Sequence, residues 1–290
     1  MKRSITFLLV LVMLLSILPA ASAEAIQSRA VIGADLTEEQ IALVYQAFGI
    51  KRGDAIELKV TNQEERRYLE GYVSDALIGT RSISCVYVEL LPSGSGMSVS
   101  TSNITWCTPE MYLSALATAG IVDANIVVAA PFEVSGTAAL TGVYKAYEDM
   151  TGKKLDDTAK LVSTQELTIT GDLANEIGSM DSTAIVNDLK LMLDETKNMS
   201  DEELRKTIGE IAAEYNVSLT DRQVEQLISL CRSLEGLDQD QLRSRVEEIQ
   251  GTLRKLSEAK TKVVGFVETV KKVVESISSF FRRIGDILGL

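Results

Sequence analysis

The chain has 290 residues, a formal net charge of −12 and no histidine. The acidity speaks against nucleic acid as a partner, because a polyphosphate is bound through clustered Lys and Arg. Without histidine, Ser-His-Asp and Cys-His catalysis and His-ligated zinc or iron are excluded. No Walker loop, Rossmann fingerprint or EF-hand loop is present, so no cofactor and no metal are expected.

Residues 1–23 read as a secretory signal peptide. Lys2 and Arg3 form the charged start, Phe7 to Leu18 the apolar stretch, and Ala21-Ser22-Ala23 the small-residue cleavage site. The apolar stretch is too short for an ordinary membrane span. The pattern predicts cleavage after Ala23 and a secreted or cell-envelope-associated protein. Losing Lys2 and Arg3 makes the mature chain more acidic still.

Residues 24–152 read as an alpha/beta domain. Residues 24–33 are expected to be a loose leader. Thr37 with Gln40 forms a capping box, and Ile41, Val44, Tyr45 and Phe48 follow at helical spacing up to Gly49. Residues 55–61 alternate as a half-buried strand. Asn62, with Glu65 three residues on, opens a second helix with the stripe Leu69, Tyr72, Val73, Ala76, Leu77, and Gly79 stops it.

Residues 82–91 form a strand, residues 92–96 a Pro- and Gly-marked hairpin turn, and residues 97–105 a polar returning strand. Thr108 and Pro109 start a helix with the stripe Met111, Tyr112, Ala115, Leu116, Ala119, ended by Gly120. The run Ile126 to Ala130 suits a strand covered on both faces, and Pro131, lacking an N–H, is expected to end it. Ser135 or Thr137 can cap the next helix, residues 137–150. From residue 55 the order strand, helix, strand, strand, helix, strand is that of the split βαβ. It predicts an α+β, ferredoxin-like (βαββαβ) domain with helices on one face, followed by an all-helical C-terminal region.

Residues 153–258 read as amphipathic helices on short loops. One covers 155–167, and another covers 172–177. A third opens at Ser182 with Ile185, Leu189, Met192 and Leu193. Capping boxes start two more, Ser200 with Glu203 and Thr220 with Gln223. Leu242, Val246, Ile249, Leu253 and Leu256 make a last stripe. Residues 259–290 form a further amphipathic helix with three apolar positions per heptad. It carries Lys260, Lys262, Lys271, Lys272, Arg282 and Arg283 against Glu268, Glu275 and Asp286. This basic helix on an acidic protein suits bundle packing or self-association in preference to peripheral membrane contact, with an envelope component as partner.

Several words in the alpha/beta half resemble a known family. They are Val60-Thr-Asn with Glu64-Glu65 and Tyr68-Leu69, Ile78-Gly-Thr80, Asn103-Ile-Thr-Trp-Cys-Thr108, Met111-Tyr112 with Ala115-Leu116 and Thr118-Ala-Gly120, and Ala130-Pro-Phe through Val134-Ser-Gly-Thr-Ala-Ala-Leu-Thr-Gly142. Together, over roughly residues 34–177, the chain resembles the YpuA-like family of exported Gram-positive bacterial proteins, a domain of unknown function. The resemblance implies export and no particular reaction.

The candidate ligand-binding residues fall in two groups. Gly136, Ala138, Ala139 and Gly142 leave one side of a helix start without bulk. Either the helix packs closely on a strand there, or the N–H groups of Gly136, Thr137 and Ala138, in the turn that begins at Ser135, hold an anion or carboxylate. Trp106, the sole tryptophan, is either a core residue or a platform for a sugar or peptide beside Asn103, Thr105 and Thr108.

No catalytic residue is assigned. The nucleophile elbow is absent, and Lys145 lies roughly 12 Å along the helix from Thr137, too far to activate it. Carboxylate pairs such as Glu64-Glu65 and Asp156-Asp157 sit at helix starts, where the dipole favours them. The three cysteines read first as small buried hydrophobes; Cys85 and Cys107, which flank the expected hairpin, are the one pair that could form a disulfide in an exported protein. The sequence therefore reads as a non-catalytic binding or structural envelope protein. A secreted hydrolase using carboxylates or Ser135/Thr137 is the alternative.

Overall fold

The computed structural model describes residues 28–259. The signal segment and the basic stretch beyond Ala259 lie outside the described residues. The order is β1 (Ser28–Gly33), α1 (Glu38–Phe48), β2 (Ile56–Val60), α2 (Asn62–Leu69), α3 (Asp75–Ile78), β3 (Cys85–Leu90), β4 (Ser98–Ile104), α4 (Pro109–Ala119), β5 (Ala124–Val134) and α5 (Thr137–Thr151). Helices follow: α6 (Asp157–Ile177), α7 (Ser179–Leu191), α8 (Leu193–Thr196), α9 (Asp201–Glu214), α10 (Asp221–Leu234) and α11, residues 239–259.

The fold is α+β, but it is not ferredoxin-like. The sheet order is β2-β1-β3-β5-β4. β1 is parallel to β2 and antiparallel to β3, while β5 is antiparallel to β3 and parallel to β4. The expected β3–β4 hairpin is therefore absent, because β5 lies between the two strands. Ser28–Gly33, expected to be a leader, is instead an inner strand buried along its whole length.

Both faces of the sheet are covered, not one. Val31, Val86, Val88, Ile126 and Val128 face α4 and α5. Ala30, Ile32, Cys85 and Ala129 face α1 through Ile41, Val44, Tyr45 and Phe48. The small residues of α5 serve close packing. A Cβ at Gly142 would lie 3.1 Å from Val86 Cγ2 and 3.7 Å from Val31 Cβ.

Cys85 and Cys107 belong to clusters on opposite faces, so the possible disulfide between them is not formed; all three cysteines are free and buried, as small core residues. Burial pushes their thiols up to about 12, which keeps them protonated and unreactive.

The core that begins on the sheet continues past Gly152. Leu167 and Ile249 belong to the same cluster as the strand residues. A second cluster fills the space among α6, α7, α9, α10 and α11. The capping boxes at Thr37, Ser200 and Thr220 form as read, and Leu242, Val246 and Ile249 are buried as their stripe predicts.

Where α4, α6 and α7 meet, a buried ion pair is enclosed by polar side chains. Lys190 Nζ lies 2.8 Å from Glu166 Oε1, and both side chains are essentially inaccessible to solvent. Lys190 also donates to Ser114 O and Oγ and to Thr118 Oγ1, at 3.1, 2.9 and 3.1 Å. The hydroxyls of Ser114 and Thr118 donate to the two oxygens of Glu166.

The second helix starts one residue earlier than its sequence suggests. Thr61 is the cap, with Glu64 as its partner. The helix is also shorter, since Gly71 adopts φ 91° and breaks it before α3. Arg66 ties the two pieces together, donating to Asp75 Oδ1 at 2.8 Å and Gly79 O at 2.9 Å.

With Glu64 at the cap, Glu65 turns inward and is fully buried, accepting a hydrogen bond from the Ser82 hydroxyl. Burial raises its pKa to about 7 from 4.5. Between those values the folded chain holds a proton that the unfolded chain has lost. Stability therefore falls as pH rises through this window and levels off above it. The Glu65 contribution should have a slope of at most about 1.4 kcal/mol per pH unit. Urea midpoints measured at several pH values should show it in the wild type, and Glu65→Gln should remove it. A wild-type minus variant difference that stays constant with pH would show that the carboxyl titrates normally.

Candidate functional site

β1, β2, β4 and β5 run in one direction, so their C-terminal ends share one edge of the sheet. In open α/β sheets that edge is where ligands are held, because the loops leaving the strands line a crevice there. A cleft of about 630 Å³ opens at the ends of β4 and β5. It is lined by the 76–81 segment, by Ile83 and Ser84 before β3, by Thr105 and Trp106 after β4, by Glu133 and Val134 at the end of β5, and by Ser135, Thr137 and Ala138 beyond it.

The turn from β5 into α5 is held firmly. Beyond Pro131 the strand continues to Val134, against expectation, because β5 bulges between Ala129 and Val134 and pairs again with β4 at Ile104, so Pro131 sits where no ladder N–H is needed. Asn103 adopts φ 58° at this bulge, and its side-chain amide donates to Ala130 O at 2.8 Å. The Thr105 hydroxyl donates to Val134 O at 3.1 Å, and the Cys107 N–H to Ser135 O at 3.0 Å. Tyr112 Oη donates to Gly136 O at 2.5 Å.

Neither Ser135 nor Thr137 caps α5. The cap position is Gly136, at φ 95° and with no side-chain cap bond. The Ser135 hydroxyl donates instead to Leu77 O at 2.8 Å, and Thr137 Oγ1 approaches the same carbonyl at 3.4 Å. These bonds fasten the end of α3 to the start of α5 and close one wall of the cleft. Lys145 is engaged elsewhere, with Glu64 Oε1 and Lys59 O, each at 2.6 Å.

Of the six candidate ligand residues, the cleft brings together Thr105, Trp106, Ser135 and Thr137. Asn103 and Gly136 support the wall from behind. A Cβ at Gly136 would fall 2.5 Å from Ile104 Cγ2 and 2.7 Å from Tyr112 Oη, so glycine is required by close approach. Trp106 is half-buried: it packs against the core and also lines the cleft. Its six-membered ring rests on Gly171, where a Cβ would lie 2.3 Å from Cζ2. That contact explains why residues 157–177 form one helix and not two, since Gly171 is a seat for the indole and not a break.

Sequence reasoning missed Thr80, Arg81, Ser84 and Glu133. The signal for them was indirect: Ile78-Gly-Thr80 is one of the words that carry the family resemblance, and three of those words converge on this cleft. Arg81 and Glu133 are exposed and place opposite charges around it. Among the described residues no cluster of His, Cys, Asp and Glu suits a metal ion, and no helix is long and apolar enough to cross a membrane.

A relative from Bacillus subtilis (strain 168), named "Uncharacterized protein YpuA", is 37% identical over 262 residues, covering 89% of this chain and 87% of its own. No solved structure matches the chain. Residues 32–277 match a family model described as "Protein of unknown function (DUF1002)", and with that extent of agreement the chain belongs to the DUF1002 family.

Proposed function

We propose that this is an exported, non-catalytic binding protein of the cell envelope whose recognition surface is the Trp106 cleft. The carrying observation is its lining: one rigidly seated indole, a set of hydroxyls from Thr80, Ser84, Thr105, Ser135 and Thr137, and the charges of Arg81 and Glu133. Such a surface suits a polar ligand with an apolar face, a sugar or a short peptide. The two hydroxyls with the strongest claim to nucleophilic chemistry are tied to the Leu77 carbonyl, which favours binding over turnover. Export rests on the three-part pattern of residues 1–23. The basic amphipathic segment beyond residue 259 supplies assembly or surface attachment in this reading.

Trp106 is the sole tryptophan, so its emission reports on the cleft alone. The chain beginning at Glu24 should show a saturable change in emission with at least one member of a panel of envelope glycans and peptides. Thr105→Ala and Ser135→Ala should weaken that response, and truncation after Lys262 should leave it intact while altering the mass in solution. A flat titration across the panel, or hydrolysis of any member, would overturn the binding reading.

A further inference from the structure

The arginines facing acidic neighbours are well matched. Arg29 pairs with Asp149, Arg52 with Glu38 and Glu57, Arg66 with Asp75, Arg232 with Asp201, and Arg243 with Asp194. Arg245, on α11, differs. It is half-buried, and its Nε is sealed from water with no hydrogen-bond partner. A buried donor left unmatched costs the folded state its desolvation without return. Burial also holds the guanidinium pKa below its ordinary value, and Asp238 offsets this only through space.

Arg245 lines a second cavity, of about 480 Å³, remote from Trp106 in its lining and formed by the end of α4, the start of α6 and the 236–245 segment. The carboxylates there already have work. Asp156 accepts from the Ala159 N–H at 2.8 Å. Asp238 accepts from the Gln241 N–H at 3.0 Å and from its side-chain amide at 2.6 Å. The C-terminal turn of α4 comes close to the guanidinium, since a Cβ at Gly120 would lie 3.1 Å from Nη1. The partial negative charge of that helix end offsets the cation in part, but it supplies no acceptor to Nε–H. Lys154 adds a second cation to the lining.

We propose that the cavity between α4, α6 and α11 binds an oxyanionic small molecule, a carboxylate or a phosphate, with Arg245 as its anchor. Nε–H is closed to a solute as it is to water, so the paired donors that match two oxygens of either group are those of the two Nη atoms. The volume accommodates an organic acid or a phosphate ester as well as a bare ion. Asp156 and Asp238 oppose free entry of charge, so selectivity would come from the fork at Arg245 and from Lys154.

Thermal unfolding of the chain beginning at Glu24 tests this, in Tris chloride of constant ionic strength with phosphate, sulfate, succinate or citrate added. At least one anion should raise Tm by about 2 °C or more over chloride, as a ligand that binds only the folded state does. Phosphate and sulfate responding together would point to a phosphoryl group, and succinate or citrate responding to a carboxylate. Arg245→Met should lose the response, and Lys154→Ala should weaken it. Without added anion, Arg245→Met should be as stable as the parent or more so, because it removes an unmatched donor. Arg245→Lys keeps the charge but not the fork, and should fold with a reduced response. A Tm indifferent to all four anions, an equal response in Arg245→Met, or a marked loss of stability in that variant without anions would overturn the proposal.

Discussion

Lys190→Met is expected to destabilise the protein by about 3–5 kcal/mol, because it leaves the Glu166 carboxylate buried with no counter-charge. Ser114 and Thr118 would still donate to Glu166, but two neutral donors do not replace an ammonium group at 2.8 Å. Replacing both partners, as Lys190→Met with Glu166→Leu, removes the stranded charge as well and should recover most of the loss. Urea midpoints of the two single variants and the double variant give the coupling between them. A single-variant loss under about 1 kcal/mol, the range of an exposed pair, would mean that water reaches the site.

Gly171→Ala is expected to destabilise as well, and here two effects compete. Alanine in place of a mid-helix glycine gains about 1 kcal/mol in helix propensity. Against this, the new methyl would meet the Trp106 ring at 2.3 Å, an overlap that must displace the indole. Overpacking of this kind costs about 1–3 kcal/mol, so the clash should win. Displacement toward water should also shift Trp106 emission to the red. Gly209, on α9, is the control, because a Cβ there meets nothing within 4 Å. Gly209→Ala should therefore stabilise by up to about 1 kcal/mol. If Gly171→Ala behaves like Gly209→Ala and leaves the emission unchanged, the indole is not seated on α6.

What could be read from the sequence was local. The capping boxes at Thr37, Ser200 and Thr220 depend on residues three apart, and each formed. The α11 stripe was read correctly for the same reason, since helical spacing reports directly which positions face a core. The errors came from pairings that no local pattern encodes. Ser28–Gly33 is short and opens the chain expected after cleavage, and its position between β2 and β3 is what makes it a strand. The turn at residues 92–96 has hairpin composition, yet its strands are separated by one made about thirty residues later.

The Lys190–Glu166 pair escaped notice because a lone Lys and a lone Glu on amphipathic helices read as solvated. They meet only once α4, α6 and α7 are packed. The cleft was half legible. Trp106, Thr105, Ser135 and Thr137 stand out for their residue types and setting, whereas Arg81 and Glu133 acquire meaning only from the sheet edge they share.

The place of β5 between β3 and β4 also fixes an order of events in folding. Among the described residues β4 pairs with β5 and no other strand, so while the chain emerges from its N-terminus β4 has no ladder to join until residues 124–134 have followed it. β1, β2 and β3 can associate before then, but the edge of β3 reserved for β5 stays open. An open edge is a template for unintended pairing. The interval between the two strands, occupied by α4, is thus the time in which this sheet is most exposed to another chain's strand.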